Sequence, residues 1–178
     1  MRLFIAIDFK PLEQDLKDLQ QGVDESLAVL KKTDTFHLTL KFLGKVNEEV
    51  AEEVRQRLRK VEFKPFKLEL GNIGVFPTEN FVRVIWIGIK PSKEIKELQE
   101  NIEKALEKFG FEKDYEFSPH ITLARVKIVK DREKFQKALK GIEVKQDVID
   151  VSDFRLISSK LSPKGAVYYD LEVYQAKP

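Results

Sequence analysis

Apolar residues fall along this chain in two rhythms, one with the period of a strand and one with the period of a helix. "RLFIAID" (2–8) is a short β-rich run stopped by Pro11, which predicts a strand. From 11 to 31 the positions Leu12, Leu16, Leu19, Val23, Leu27 and Leu30 recur every three or four residues, which predicts one long helix. "TFHLTLKFLG" (35–44) alternates and ends at Gly44, so it reads as a strand. Asn47 stands ready to cap the helix "EEVAEEVRQRLRKV" behind it. Two further strands, "FKLELGNIGVF" (66–76) and "FVRVIWIGIK" (81–90), are joined by a turn through Pro77 to Asn80.

Pro91 and Ser92 open a helix over 91–110 that Gly110 closes. "PHITLARVKI" (119–128) is a strand, "DREKFQKALKGI" (131–142) a helix closed by Gly141, and two strands, 148–161 and 166–177, flank the turn "SPKG". The order β-α-β-α-β thus occurs twice, followed by a last strand. The histidines His37 and His120 lie 83 positions apart, and Pro11 and Pro91, which open the preceding helices, lie 80 apart. A near-constant offset marks an internal duplication. The expectation is one bilobal domain over 1–178 made of two repeat units, about 1–76 and 80–161, plus the final strand 166–177, with one cleft between the lobes.

Composition narrows the chemistry. With 42% hydrophobic and 35% charged residues, the chain has a core's worth of apolar side chains under a charged surface. Its formal net charge of +2 gives no global pull on nucleic acid, so any basic surface must be local. Cysteine is absent, which removes disulfides, thiolate metal sites and cysteine nucleophiles. The N-terminal apolar run is too short for a signal peptide, and no stretch nears the ~18 apolar residues of a membrane span, so a cytoplasmic protein without membrane attachment is expected. Many Lys and Glu, no Cys and one Met fit a heat-adapted chain.

The only two histidines each begin the same tetrapeptide pattern, "HLTL" at 37 and "HITL" at 120. Along a strand, residues i and i+2 share a face, so His37 pairs with Thr39 and His120 with Thr122, while the intervening aliphatic residues face the other way. Two imidazoles and two hydroxyls around one space suit phosphoryl chemistry. One ring takes a proton from the nucleophile, the other gives one to the leaving oxygen, and the hydroxyls donate to non-bridging phosphate oxygens. The bland alternative is a structural histidine copied by the duplication. No metal or cofactor is expected, since a catalytic zinc ordinarily takes three protein ligands.

On "RLFIAID", "FHLTLKFLG", "GVFP", "VIW", "SPHITLARV" and "SKLSPKGAVYY", the chain resembles the bacterial and archaeal RNA 2′,3′-cyclic phosphodiesterases, also called 2′-5′ RNA ligases, of the two-histidine phosphoesterase superfamily. The resemblance implies an α+β fold of two antiparallel sheets flanked by helices, pseudo-twofold about a central groove. It implies hydrolysis of RNA 2′,3′-cyclic phosphate ends to 2′-phosphomonoesters by a monomer, with His37 as proton donor, His120 as proton acceptor, and Thr39 and Thr122 on the phosphate. Such ends occur on tRNA halves among other RNAs. Ligation or 2′,5′-phosphodiester cleavage by the same pair, or a silent RNA-binding protein, stay open as alternatives.

Four more residues carry weaker expectations. Strict alternation puts Lys41 on the His37/Thr39 face, either meeting an RNA phosphate or standing as a solvated rim lysine. Arg125 has a phosphate fork, but alternation turns it to the face of Ile121 and Leu123 unless the strand bulges. Phe76 and Trp86 either stack on bases or fill the core. "GNIG" (71–74) is no phosphate loop, because no GxxxxGK[ST] pattern or following helix accompanies it.

Overall fold

Apolar alternation in nine segments and helical periodicity in four produce an α+β architecture, seen over all residues 1–178 of a computed structural model. In chain order the elements are β1 (Arg2–Asp8), α1 (Glu13–Gln21), β2 (Ala28–Lys32), β3 (His37–Lys45), α2 (Glu48–Leu58), β4 (Phe66–Thr78), β5 (Phe81–Ile89), α3 (Lys93–Leu106), β6 (His120–Val129), α4 (Arg132–Lys140), β7 (Val148–Val151), β8 (Asp153–Ser162) and β9 (Gly165–Gln175). The helix starts are those the sequence marks. The Asn47 side chain accepts from the Val50 amide at 2.8 Å and Ser92 from the Ile95 amide at 3.3 Å. Gly110, at φ +66°, ends the turn that closes α3.

The strands run β7-β4-β5-β6-β3-β1-β8-β9, all antiparallel, with β2 alongside β6. At the centre, β3 and β6 touch through a single residue pair, Leu38 with Ile121. The path is therefore two half-sheets meeting at the two H-x-T strands. Helices cover one face. Leu16, Val54, Leu58, Ile95 and Ile102 pack there against Leu3, Ile5, Leu38, Ile87 and Ile121, all fully buried. Each such Leu or Ile contributes about 1.5–3 kcal/mol by leaving water. Phe135 and Leu139 of α4 close a smaller cluster over Ile85 and Val126. The opposite face of the sheet carries no helix and holds the groove.

Two expectations about elements give way. The long helix over 11–31 is only α1; residues 28–32 form β2. Asp24 accepts from the amide and hydroxyl of Ser26, which turns the chain, and Ala28–Lys32 then pairs with β6. The Leu27 and Leu30 spacing fits a helix locally, but an open edge of β6 offers that backbone ladder partners instead. The strand expected over 148–161 is two strands divided at Ser152, since β7 pairs with β4 and β8 with β1 and β9.

Candidate active site

The two H-x-T segments lie on the adjoining central strands because their alternate residues, Leu38, Leu40, Ile121 and Leu123, are pulled into the core. His37, Thr39, His120 and Thr122 are left half-buried on the groove face. The Leu38–Ile121 pair fixes their relation. Continued by one residue, its antiparallel register sets His37 opposite Thr122 and Thr39 opposite His120. The histidines then stand on a diagonal, about 8 Å apart at Cα from strand rise and spacing. That span accepts one phosphate with a hydrogen bond to either side.

Each imidazole is walled by aromatic rings. His37 lies 5.8 Å from the Phe4 ring and 5.4 Å from Tyr168, both edge-on. His120 lies 5.0 Å from Phe76 and 6.0 Å from Trp86. Phe76 and Trp86 are thus neither core nor free platforms; they form the wall behind His120. Gly74 of the "GNIG" stretch makes this possible, because a Cβ there would sit 2.3 Å from the Trp86 ring.

Electrostatics distinguish the two rings. Burial pushes the His37 imidazole below its ordinary value, partly opposed by the Asp8 and Asp170 carboxylates and assisted by Arg155. Those three groups form a network, with Arg155 Nη1 3.2 Å from Asp8 and 2.7 Å from Asp170, and Nε 3.2 Å from Asp153. Asp8 is the register partner of His37 across β1 and β3. The other ring is held differently: His120 Nδ1 lies 2.8 Å from the Ser118 carbonyl oxygen. A carbonyl only accepts, so Nδ1 carries the proton and Nε2 of the neutral ring is a free acceptor.

Lys41 requires a correction. The β1–β3 register slips between Ile5 and Ala6, so Leu40 and Lys41 both turn inward and Phe42 takes the groove-facing place. The Lys41 ammonium is buried, 2.8 Å from both Glu103 oxygens and 2.8 Å from the Glu112 carbonyl oxygen. It is a strut between β3 and α3, not a groove lysine. The same slip occurs in β6, where Leu123 is skipped between the partners Ile85–Ala124 and Trp86–Thr122. Here it brings Arg125 out on the His120/Thr122 side, where strict alternation did not put it. The Leu123 carbonyl freed from the ladder accepts from Gln20 Nε2 at 2.8 Å and the Thr33 amide at 3.0 Å.

Sequence reasoning missed Phe4, Phe42, Tyr168 and the Arg155 network. The doubled tyrosine in "GAVYY" was the available signal for Tyr168; Arg155 depends on a β1–β8 pairing that no local pattern announces. No three or more His, Cys, Asp or Glu side chains converge in a metal-holding group. A cavity of about 420 Å³ lined by Asp15, Asp18, Leu19 and Asp147 lies beside α1, apart from both histidines.

Paired imidazoles and hydroxyls thus share an open antiparallel face, each ring fixed in a different setting, an arrangement chemically able to give and take protons at one bound group. Comparison with known proteins agrees in family and fold. Residues 11–160 match the family model described as the 2′-5′ RNA ligase superfamily, and the chain belongs to that superfamily. An RNA 2′,3′-cyclic phosphodiesterase of Archaeoglobus fulgidus is 38% identical over 98% of this chain and 100% of its own length. One from Methanocaldococcus jannaschii is 32% identical over 94% of this chain and 96% of its own. A crystal structure from Thermus thermophilus superposes with a TM-score of 0.83 at 28% identity, covering 98% of this chain and 97% of that one. E. coli LigT in apo form, at 22% identity and TM-score 0.79 over 99% and 98% of the two chains, shares the fold.

Proposed function

We propose that this protein hydrolyses 2′,3′-cyclic phosphate ends of RNA to 2′-phosphomonoesters, with His120 as proton acceptor and His37 as proton donor. The observation that carries the assignment is the His120 Nδ1 contact to the Ser118 carbonyl, which reserves Nε2 as a base in the neutral ring. Water attacks phosphorus as Nε2 takes its proton; the bond from phosphorus to the 3′-oxygen breaks, and that oxygen leaves with a proton from His37. Thr39 and Thr122 donate to the non-bridging oxygens as charge builds there. Each proton transfer by a positioned group is worth ~10²–10⁴ in rate.

The depressed His37 value fits a donor that charges on demand. An anionic phosphate entering beside the ring favours the imidazolium, so the proton is held most firmly when substrate is bound. The names of the relatives support the cyclic-phosphate substrate. The same reading takes residues 1–178 as one bilobal domain of two repeats, supported by the matching exposure sequence of His37–Phe42 and His120–Arg125. The family description favours one second reading, 2′-5′ ligation, in which a 5′-hydroxyl replaces water at His120.

The test is incubation of a cyclic-phosphate-ended RNA with the protein in excess chelator, with the product isomers separated. A 2′-phosphate formed at an undiminished rate is the expected result. A 3′-phosphate, or activity lost to chelator and restored by a divalent ion, overturns the mechanism. Joined strands from RNA with a 5′-hydroxyl partner would establish the ligation reading.

A further inference from the structure

Beyond the Leu123 bulge, two cations stand side by side at one end of the groove. Lys31 of β2 and Arg125 of β6 are register partners, so their side chains stand together, about 5 Å apart at Cβ. Lys31 Nζ donates to the Lys164 carbonyl oxygen at 3.1 Å, at the tip of the β8–β9 hairpin. That hairpin also sets Tyr168 against His37, so it bends over the groove and its tip comes down on β2. No carboxylate lies within ion-pair distance of Lys31, Arg125 or Lys164, although many other lysines and arginines of this chain are paired. Crowded like charges repel, and an anion between them relieves it.

We infer that Lys31 and Arg125 form a subsite for the phosphate on the 5′ side of the reacting nucleotide. The protein therefore acts on ends that carry this phosphate in preference to a bare nucleoside cyclic phosphate. The inference rests on the proposed function and on its polarity. Water enters from His120, so the 3′-oxygen leaves toward His37 and the ribose lies on that side. Continued one residue past the Leu38–Ile121 pair, the register sets Thr122 opposite His37, and Arg125 is the next groove-facing residue beyond Thr122. The strand 5′ of the reacting ribose is thereby led to these two cations. At the matching place past Thr39 the groove presents Phe42, 72% exposed, instead of a cation. The arginine fork suits two phosphate oxygens, and Lys31 adds a point charge.

The test compares adenosine 2′,3′-cyclic phosphate with its 5′-phosphorylated form, which differ by one phosphate group. The wild-type kcat/KM is expected to be about tenfold higher for the phosphorylated form, the worth of charge-assisted hydrogen bonds. Its fall with salt should be steeper, by about 0.7 in log–log slope per phosphate contact. Lys31→Gln combined with Arg125→Gln should bring the ratio near one and remove the extra slope. Both side chains are at the surface, and Lys93→Gln on the far helix α3 serves as a control that leaves the ratio in place. Equal wild-type kcat/KM for the two compounds, or a double variant that keeps the full preference, overturns the subsite. Hydrolysis of neither compound by the wild type refutes the proposed function instead.

Discussion

Lys41→Met separates a structural lysine from a substrate-binding one. The substitution keeps most of the stem and removes an ammonium that meets both Glu103 oxygens and the Glu112 carbonyl, with 3% of the Lys41 side chain and 19% of the Glu103 side chain exposed. Removing one member of a buried ion pair costs about 3–5 kcal/mol, because the remaining charge stays buried alone. Glu103 keeps some water and a hydrogen bond from Gln99 at 3.2 Å. The expected loss is therefore about 2–4 kcal/mol. At a urea dependence of about 2 kcal/mol per molar, the unfolding midpoint falls by roughly 1–2 M.

The assay pairs a urea titration, followed by the fluorescence of the single tryptophan, with kcat/KM on a cyclic-phosphate-ended oligonucleotide. The midpoint should fall while kcat/KM per folded molecule stays within about twofold of wild type. Adding Glu103→Leu removes the stranded charge and should recover part of the lost stability; this double variant keeps the test readable if the single one folds poorly. A tenfold rise in KM with an unmoved midpoint would refute the strut and return Lys41 to the groove.

His37→Ala should lose most of its rate on the cyclic substrate but much less on an analogue whose leaving group is a stable anion, whereas His120→Ala should be impaired on both; rescue of His120→Ala instead reverses the two roles. A proton donor fails as pH rises through its pKa, so with His37 below its ordinary ~6.5 the alkaline limb of kcat/KM should begin below that value. Asp8→Asn removes a charge that raises the His37 pKa and should move this limb to still lower pH; an unshifted limb shows that another group sets it. Gly74→Ala puts a Cβ into the Trp86 ring and should change Trp86 emission and cut kcat at least tenfold by disturbing the His120 wall; unchanged emission and rate would show that the ring moves aside freely.

Much of the site was legible because a two-residue period needs only local information. His37 with Thr39 and His120 with Thr122 share faces wherever the strand is regular, and their apolar neighbours declare which face is buried. What local pattern cannot carry is pairing. Residues 28–32 have a helix-compatible spacing and become a strand because β6 has an edge to fill. Alternation failed at Lys41 and Arg125 for one shared reason, a slip of register that depends on the neighbouring strand and moves the residues just after it to the other face. The network of Asp8, Arg155 and Asp170 joins β1 to the β8–β9 hairpin at the other end of the chain, and no spacing rule connects them.

The two slips give each motif strand the same backbone course and then different chemistry. From His37 to Phe42 and from His120 to Arg125 exposure runs in the same order, half-buried, buried, half-buried, buried, buried, exposed. In β3 the inward residue is Lys41, which needs the Glu103 carboxylate. In β6 it is Ala124, which needs nothing, while Gln20 and Thr33 satisfy the carbonyl that the slip frees. Outward, one strand ends the groove with a phenyl ring and the other with a guanidinium. A groove with symmetric backbone and like ends would receive a nucleotide in either direction, presenting each imidazole with either oxygen. On the proposed roles, unlike ends would admit one direction only, the restriction that a donor and an acceptor with fixed roles require.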